Sequence, residues 1–425
     1  MAAPARGEGR AAPGPDCRRV VVTGMGTVNP LGADLPTTWQ GLRQGRCAVT
    51  ALAPDLVAGH SLPVSIAAPL ALDPDELLAP RLMRRLDRAS QCALLAARQA
   101  WAQAGEPEVD GDALAVSLSP GMGPVLSVME AWDTLRDRGP RRVLPTSIPA
   151  LMPNAPAAAV GIELGARAGI HAPVSACASG AEAIAYGADL IALGRAEVVV
   201  AGGTDAALHP MTIAAFAAMR ALSTRGEEPA TASRPFAPDR DGFVLGEGAG
   251  VVVLESAEHA RARGAQALAV LAGAAVTADA YDVARPEPSG AQQARALRLA
   301  LDRAGLEAGK VGHVNAHATS TPAGDAVEAA MLAATVPQAA VSATKSATGH
   351  LLGGAGGLEA ILAIQALRDQ WAPPTLLPAG VDPGIAALGL DVVGPQGREL
   401  AGLEVAVSTS FGFGGHNAAL VLTRP

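Results

Sequence analysis

Short, nearly unbroken apolar runs alternate along the chain with longer stretches in which apolar residues recur every three or four positions. The runs inside RRVVVTGMGTVNPLG (18–32), ALAVSLSPGMGP (113–124), ALAVLAGAAV (267–276) and VGHVNAHATSTPAG (311–324) predict buried strands, each stopped by glycine, proline or hydroxyl residues. LMRRLDRASQCALLAARQAWAQAG (82–105) has helical spacing, with Leu82, Leu86, Leu94 and Leu95 set among basic and small residues. PVSACASGAEAIAYGADLIALGRAEVVVAGGTDA (173–206) reads as turn, helix, buried strand and glycine turn, an α/β unit.

The second half repeats this grammar. The strand at 267–279 parallels the first strand, and 311–324 parallels the strand ending at SPGMGP. VSATKSATGHLLGGAGGLEAILAIQAL (341–367) parallels the turn and helix around Cys177. LGEGAGVVVLES (245–256) and FGFGGHNAALVLT (411–423) share a glycine turn running into an apolar strand, and they follow Cys177 and Lys345 at nearly equal distances. Four pairs in one order predict an α/β protein of two similar halves, residues 18–260 and 261–425, behind a disordered N-terminal tail at 1–17. Residues 125–172 have no counterpart and read as an insertion in the first half.

Composition narrows the class. Of 425 residues, 49% are hydrophobic and 17% charged, which supports a large core and excludes wholesale disorder. Aromatics are 3%, so small residues must do most of the packing, and no apolar run reaches the ~20 residues of a membrane span. A net charge of −8 and the few aromatics argue against nucleic-acid binding. The four cysteines lack metal-ligand or disulfide spacing, which predicts a reducing, cytoplasmic setting and no metal. The glycine turns lack the Gly-Lys-Ser/Thr ending of a phosphate loop and the spacing of a dinucleotide fingerprint.

Cys177, in VSACASGAEAI, stands among alanines, serines and a glycine just before a helix. A buried apolar cysteine is the bland reading. The helix start argues instead for a lowered thiol pKa, and the small neighbours leave sulfur and backbone N–H groups open, as a nucleophile requires. His317 ends an apolar strand, and His350 lies five residues beyond Lys345 in SATKSATGHLLGGAGG. Two imidazoles and an ammonium at strand-end turns suit chemistry in which a thioester oxygen gains charge. Arg81, Arg84 and Arg85 fall at helical spacing, predicting one basic helix face for an acidic partner.

SACASG, NAHATSTPAGD, SATKSATGHLLGGAGG, SRPFAPDRDGFVLGEGAG and SFGFGGHN occur in order between residues 18 and 425, and the chain thereby resembles the elongating β-ketoacyl-acyl carrier protein synthases of dissociated fatty-acid synthesis. Its Ala- and Arg-rich composition and GFGGHN turn resemble actinobacterial members. The resemblance implies a thiolase-like fold, two βαβαβαββ halves in five αβαβα layers, usually as a homodimer. It implies that Cys177 takes an acyl chain, that His317 and His350 stabilise the enolate from malonyl-carrier protein, and that Lys345, paired with Glu359, tunes the site. It further implies an oxyanion hole and gate at Gly412, Phe413 and Gly414, and pantetheine binding by Thr319 and Thr321. Met122 would set acyl-pocket depth, and Arg81, Arg84, Arg85 and Arg220 would dock the acyl carrier protein, with no separate cofactor beyond its phosphopantetheine arm. Ser408 and Thr409 stand where relatives often carry Asn or Asp near a structural cation, and Pro120 and Pro124 stiffen the pocket turn. A polyketide-pathway ketosynthase shares this pattern. A non-catalytic carrier-protein scaffold would not need Cys177, His317 and His350 together.

Overall fold

The computed structural model describes residues 18–425; the N-terminal tail expected at 1–17 lies outside the described residues. Eleven strands form the main sheet: β1 (Val20–Val28), β2 (Leu114–Pro120), β3 (Gly169–His171), β4 (Val198–Asp205), β5 (Gly248–Ser256), β6 (Ala269–Ala278), β7 (His313–Asn315), β8 (Ala340–Ser342), β9 (Asp391–Val392), β10 (Val405–Gly412) and β11 (His416–Thr423). Their order is β9-β8-β7-β10-β11-β6-β1-β5-β4-β2-β3. Outward from the junction of β1 and β6, the first half runs β1-β5-β4-β2-β3 and the second β6-β11-β10-β7-β8 with the two-residue β9 added at its edge; β9 aside, both follow the sequence of first, fifth, fourth, second and third strand. In each half the second strand pairs parallel with its neighbours and the fifth antiparallel with the first and fourth. The halves join where Val20, Val21 and Val22 pair antiparallel with Leu271, Val270 and Ala269.

Eight helices matter here: α1 (Arg88–Gln103), α2 (Val125–Arg138), α3 (Ala155–Leu164), α4 (Ser179–Ala192), α5 (Pro210–Ala218), α6 (Ala291–Ala304), α7 (Pro322–Thr335) and α8 (Gly353–Asp369). Helices α4 and α8 pack on each other and on strands of both halves, forming the middle layer. Helix α1 covers β1, β4 and β5 from outside with α3 against it, and α6 covers β6 and β11 with α7 beside it. The result is five layers, α, β, α, β, α. The strands β4 and β5 are buried along their whole length because both faces are covered, which explains their unbroken apolar sequence.

Glycine sets the spacing of the middle layer. A Cβ on Gly203 would lie 2.0 Å from Gly353 O, and one on Gly357 would lie 2.1 Å from Gly250 O. Only backbone without a side chain permits such an approach, and the scarcity of aromatics fits a core assembled at this distance.

Three expectations change. The helix anticipated from residue 82 begins at Arg88, because the buried Asp87 accepts the N–H of Ala89 and caps it. Arg81 lies in a separate four-residue turn of helix, Pro80–Met83, while Arg84 and Arg85 follow it, so the three do not share one helix face. The supposed insertion is also shorter. Helix α3 and strand β3 stand where α7 and β8 stand in the other half, which leaves only the segment carrying α2 and the short helix Ser147–Leu151 as extra.

Candidate active site

Three chain segments build the cavity floor. After β3, residues Ala176–Ala178 make one tight turn before α4. Ser179 Oγ accepts the N–H of Ser175 at 2.9 Å and donates to Ala176 O at 2.7 Å, clamping that turn. Ala176 has φ of 50°, an uncommon conformation for a residue with a Cβ, and Cys177 is presented immediately after it. The second segment follows β8: a short helix, Lys345–Thr348, then His350 and the start of α8. The third is the turn between β10 and β11, where Gly414 and Gly415 have φ of 88° and 77°.

These segments meet around a cavity of about 390 Å³ lined by Cys177, His317, His350, Thr319, Thr321, Phe413, Gly412, Met122 and Arg220. A Cβ on Gly412 would lie 3.2 Å from the N atoms of both Cys177 and Ala178, so the hairpin turn rests directly against the nucleophile turn. Lys345 and Gly414 do not line the cavity. Lys345 is fully buried behind it and forms an ion pair with Glu359. Lys345 Nζ also lies 3.4 Å from His317 Nδ1. An ammonium has no lone pair to accept with, so Nδ1 accepts and the His317 proton sits on Nε2.

The rings of His317 and His350 stand edge to face with centroids 5.3 Å apart, and Phe243 packs on His350 at 5.3 Å in the same manner. Burial, then the charge of Lys345, holds both imidazoles well below their ordinary pKa, so both are neutral. Cys177 departs from the expected lowered value. Burial pushes its thiol up to about 12, against the pull of the Lys345 charge and the Phe413 N–H. The cavity surrounds the sulfur too closely for helix-start effects to dominate.

Glu328 was not singled out from the sequence. Its carboxylate accepts the N–H of His317 at 2.8 Å and of Ala318 at 2.6 Å, and the Thr409 hydroxyl at 2.7 Å, fixing the histidine's backbone from below. Only its proximity in space reveals it. Asn315 Nδ2, Glu359 Oε2 and Ser408 Oγ are buried without partners among the described residues, and Asn315 and Ser408 lie opposite each other on paired strands. Thr319 Oγ1 and Thr321 Oγ1 lie 3.1 Å apart in the cavity wall, and Arg220 stands exposed at its mouth. Arg81, Arg84 and Arg85 are exposed but line no part of the cavity.

Comparison with known proteins bears on the family and the fold. The family model of the beta-ketoacyl synthase N-terminal domain matches residues 17–260, and that of the C-terminal domain matches residues 268–377. The 3-oxoacyl-[acyl-carrier-protein] synthase 2 of Mycobacterium tuberculosis is 42% identical over 95% of this chain and 97% of its own length. The synthase of the same name from Staphylococcus aureus is 40% identical over 96% and 98%. Among solved structures, a beta-ketoacyl synthase from Burkholderia phymatum superposes with a TM-score of 0.88 at 36% identity, over 96% of this chain and all of that one. A ketosynthase solved in complex with its type II polyketide acyl-carrier protein gives 0.88 at 28% identity, again over 96% of this chain and all of that one. With both domain models matched in order and the five-layer fold shared, the chain belongs to the beta-ketoacyl synthase family.

Proposed function

We propose that this protein elongates acyl chains by decarboxylative condensation, joining an acyl group on Cys177 to malonyl-acyl carrier protein. The observation that carries the reading is one cavity holding Cys177, the Phe413 N–H beside its sulfur, and two neutral imidazoles with a buried ammonium behind them.

In the first step Cys177 sulfur attacks the acyl thioester, the carrier's thiol leaves, and the thiol proton passes to that departing sulfur. A thiol held near 12 is protonated at neutral pH, so its proton must leave during the transfer itself, ending on the departing carrier sulfur. Backbone N–H groups of Cys177 and Phe413 hold the oxyanion. In the second step malonyl-carrier protein loses CO2, and N–H groups of His317 and His350 receive the charge on the thioester oxygen. Its nucleophilic carbon attacks the acyl-Cys177 thioester, and the Cys177 thiolate leaves and takes a proton from solvent. Lys345 keeps the His317 proton on Nε2, the side facing the substrate. Where a monovalent cation is bound, Asn315, Glu359 and Ser408 would hold it and its charge would offset that of Glu359.

Thr319 and Thr321 bind the pantetheine arm, which brings all the chemistry a cofactor would supply. Met122 bounds the acyl pocket, and Phe413 swings between empty and acylated states on Gly412, Gly414 and Gly415. The carrier protein, an acidic partner, docks on Arg220 at the mouth, with Arg81, Arg84 and Arg85 as outlying contacts. The halves 18–260 and 261–425 each contribute one catalytic turn. A homodimer forms across edge strand β3, where Ile170 and Val174 are exposed, as are Ile162 on α3 and Trp132, Leu144 and Ile148 of the extra segment. No helix among the described residues is long and apolar enough to cross a membrane, which supports action in the cytoplasm. Identity of 40–42% to synthases named 3-oxoacyl-[acyl-carrier-protein] synthase 2 supports a role in fatty-acid elongation.

Intact-mass analysis after mixing with acyl-carrier proteins tests the reading. An acyl adduct that disappears in Cys177→Ala is expected; no adduct with any chain length would overturn it and favour a scaffold.

A further inference from the structure

Strand β4 ends in Asp205, a carboxylate with no solvent exposure. No Lys, Arg or His pairs with it among the described residues; backbone alone satisfies it. Oδ2 accepts the N–H of Gly121 at 2.8 Å and of Gly353 at 2.7 Å, and both oxygens lie 3.3 Å from the Met122 nitrogen. Gly121 and Met122 form the turn after β2 that borders the acyl pocket. Gly353 opens α8, three residues beyond His350, and the positive end of that 17-residue helix favours an anion there.

The nucleophile turn meets the same point. A Cβ on Gly121 would lie 2.7 Å from Ala176 O, and one on Gly353 would lie 2.2 Å from Gly121 N. Burial pushes the Asp205 carboxyl up to about 7, while the Gly353, Gly121, Met122 and Gly123 N–H groups pull it back. A buried anion without a counter-ion is tolerated only where donors converge on it. Here they converge from the acyl-pocket turn and from the helix behind the histidine turn, two segments that share no strand pairing.

We propose that Asp205 is a positioning residue whose carboxylate fastens the acyl-pocket turn at Gly121–Met122 to the helix behind His350, so that one group sets both acyl-chain selection and the placing of the histidine turn. The inference rests on the condensing reading, but the fastening can be measured without turnover.

The test compares Asp205→Asn and Asp205→Ala with the unaltered full chain, by amide hydrogen exchange and by turnover with acyl-carrier proteins of short and long chain. The asparagine oxygen can replace Oδ2 toward Gly121 and Gly353, while its amide nitrogen faces the Met122 N–H. Asp205→Asn should therefore stay folded, keep malonyl decarboxylation within about threefold in a Cys177→Gln background, and change the short-to-long preference in kcat/KM at least about fivefold. Asp205→Ala should also lower decarboxylation about tenfold or more with KM for malonyl-carrier protein unchanged, and speed exchange at Gly121, Met122 and Gly353 at least about tenfold. Exchange at those three amides equal to the unaltered protein overturns the fastening. So does a proportional fall in every activity and in Tm with chain preference intact, which marks a merely structural residue. Acylation of Cys177 in the unaltered protein, read in the same assay, reports separately on the condensing reading.

Discussion

The turn that carries Cys177 and the turn that carries His350 occupy equivalent places in the two halves. Each follows a short third strand, β3 or β8, and each leads into a central helix, α4 or α8. Each also contains one residue with a side chain at φ of 50°, Ala176 in the first and Leu352 in the second. They differ in what they do with the same geometry. The first goes straight from strand to helix and leaves its cysteine at the cavity. The second inserts a short helix, which buries Lys345 against Glu359, and then brings His350 to the cavity wall. Helix α8 is buried except at Gln365, Arg368 and Asp369, whereas α4 leaves Glu182, Tyr186, Ala188, Asp189 and Ala192 less covered. A duplicated frame thus assigns access to one turn and electrostatics to the other. A buried ammonium survives only with a partner beside it, and the more sealed half provides one.

Separating the two turns chemically gives the largest expected effect. His317→Ala and His350→Ala should each lower malonyl decarboxylation about 10²- to 10³-fold, as loss of an oxyanion donor does. Acyl transfer to Cys177, followed by intact mass, should persist in both. Equal loss of the two steps would show that the turns are not specialised.

Packing offers a second contrast. Gly357→Ala on α8 drives a Cβ to 2.1 Å from backbone Gly250 O, while Gly187→Ala on α4 meets only the side chains of Val199, Ala201 and Leu254 at 3.1–3.2 Å. Urea unfolding should show a loss of about 3 kcal/mol for the first and about 1 kcal/mol or less for the second. Comparable losses would mean that the middle layer is equally tight on both sides.

The pH dependence sharpens the electrostatic half. Both imidazoles are held well below the ordinary histidine value, so they stay neutral donors as pH falls through that value. Decarboxylation in Cys177→Gln should therefore remain flat from pH 8 to about 6, and a midpoint near the unperturbed histidine pKa of about 6.5 would contradict rings kept neutral by burial and by Lys345. The smallest effect lies at the mouth. Arg220→Ala should raise KM for carrier-bound substrates about threefold, while Arg81→Ala, away from the cavity lining, should change it less.

Much of this organisation was legible in the residue order. The apolar runs announced the strands because buried central strands need no polar face, and the repeated glycine turns announced the duplication. Cys177, His317 and His350 stood out through residue type at strand ends. The start of α1 was misplaced because Leu82 and Leu86 keep helical spacing across a break that a single aspartate, Asp87, imposes by capping. The extra segment was overextended because α3 and α7 match in position without matching in sequence.

The sequence by itself determined which chemistry is available: one cysteine among small residues, two histidines, a lysine, and glycines able to let helices touch. Tertiary structure alone decided the state of those groups. Desolvation holds the Cys177 thiol up and both imidazoles neutral, Lys345 fixes where the His317 proton sits, and Asp205 gathers amides from distant segments. These are effects of what surrounds a group in space, and they come from residues as far apart in the chain as Asp205 and Gly353, 148 positions.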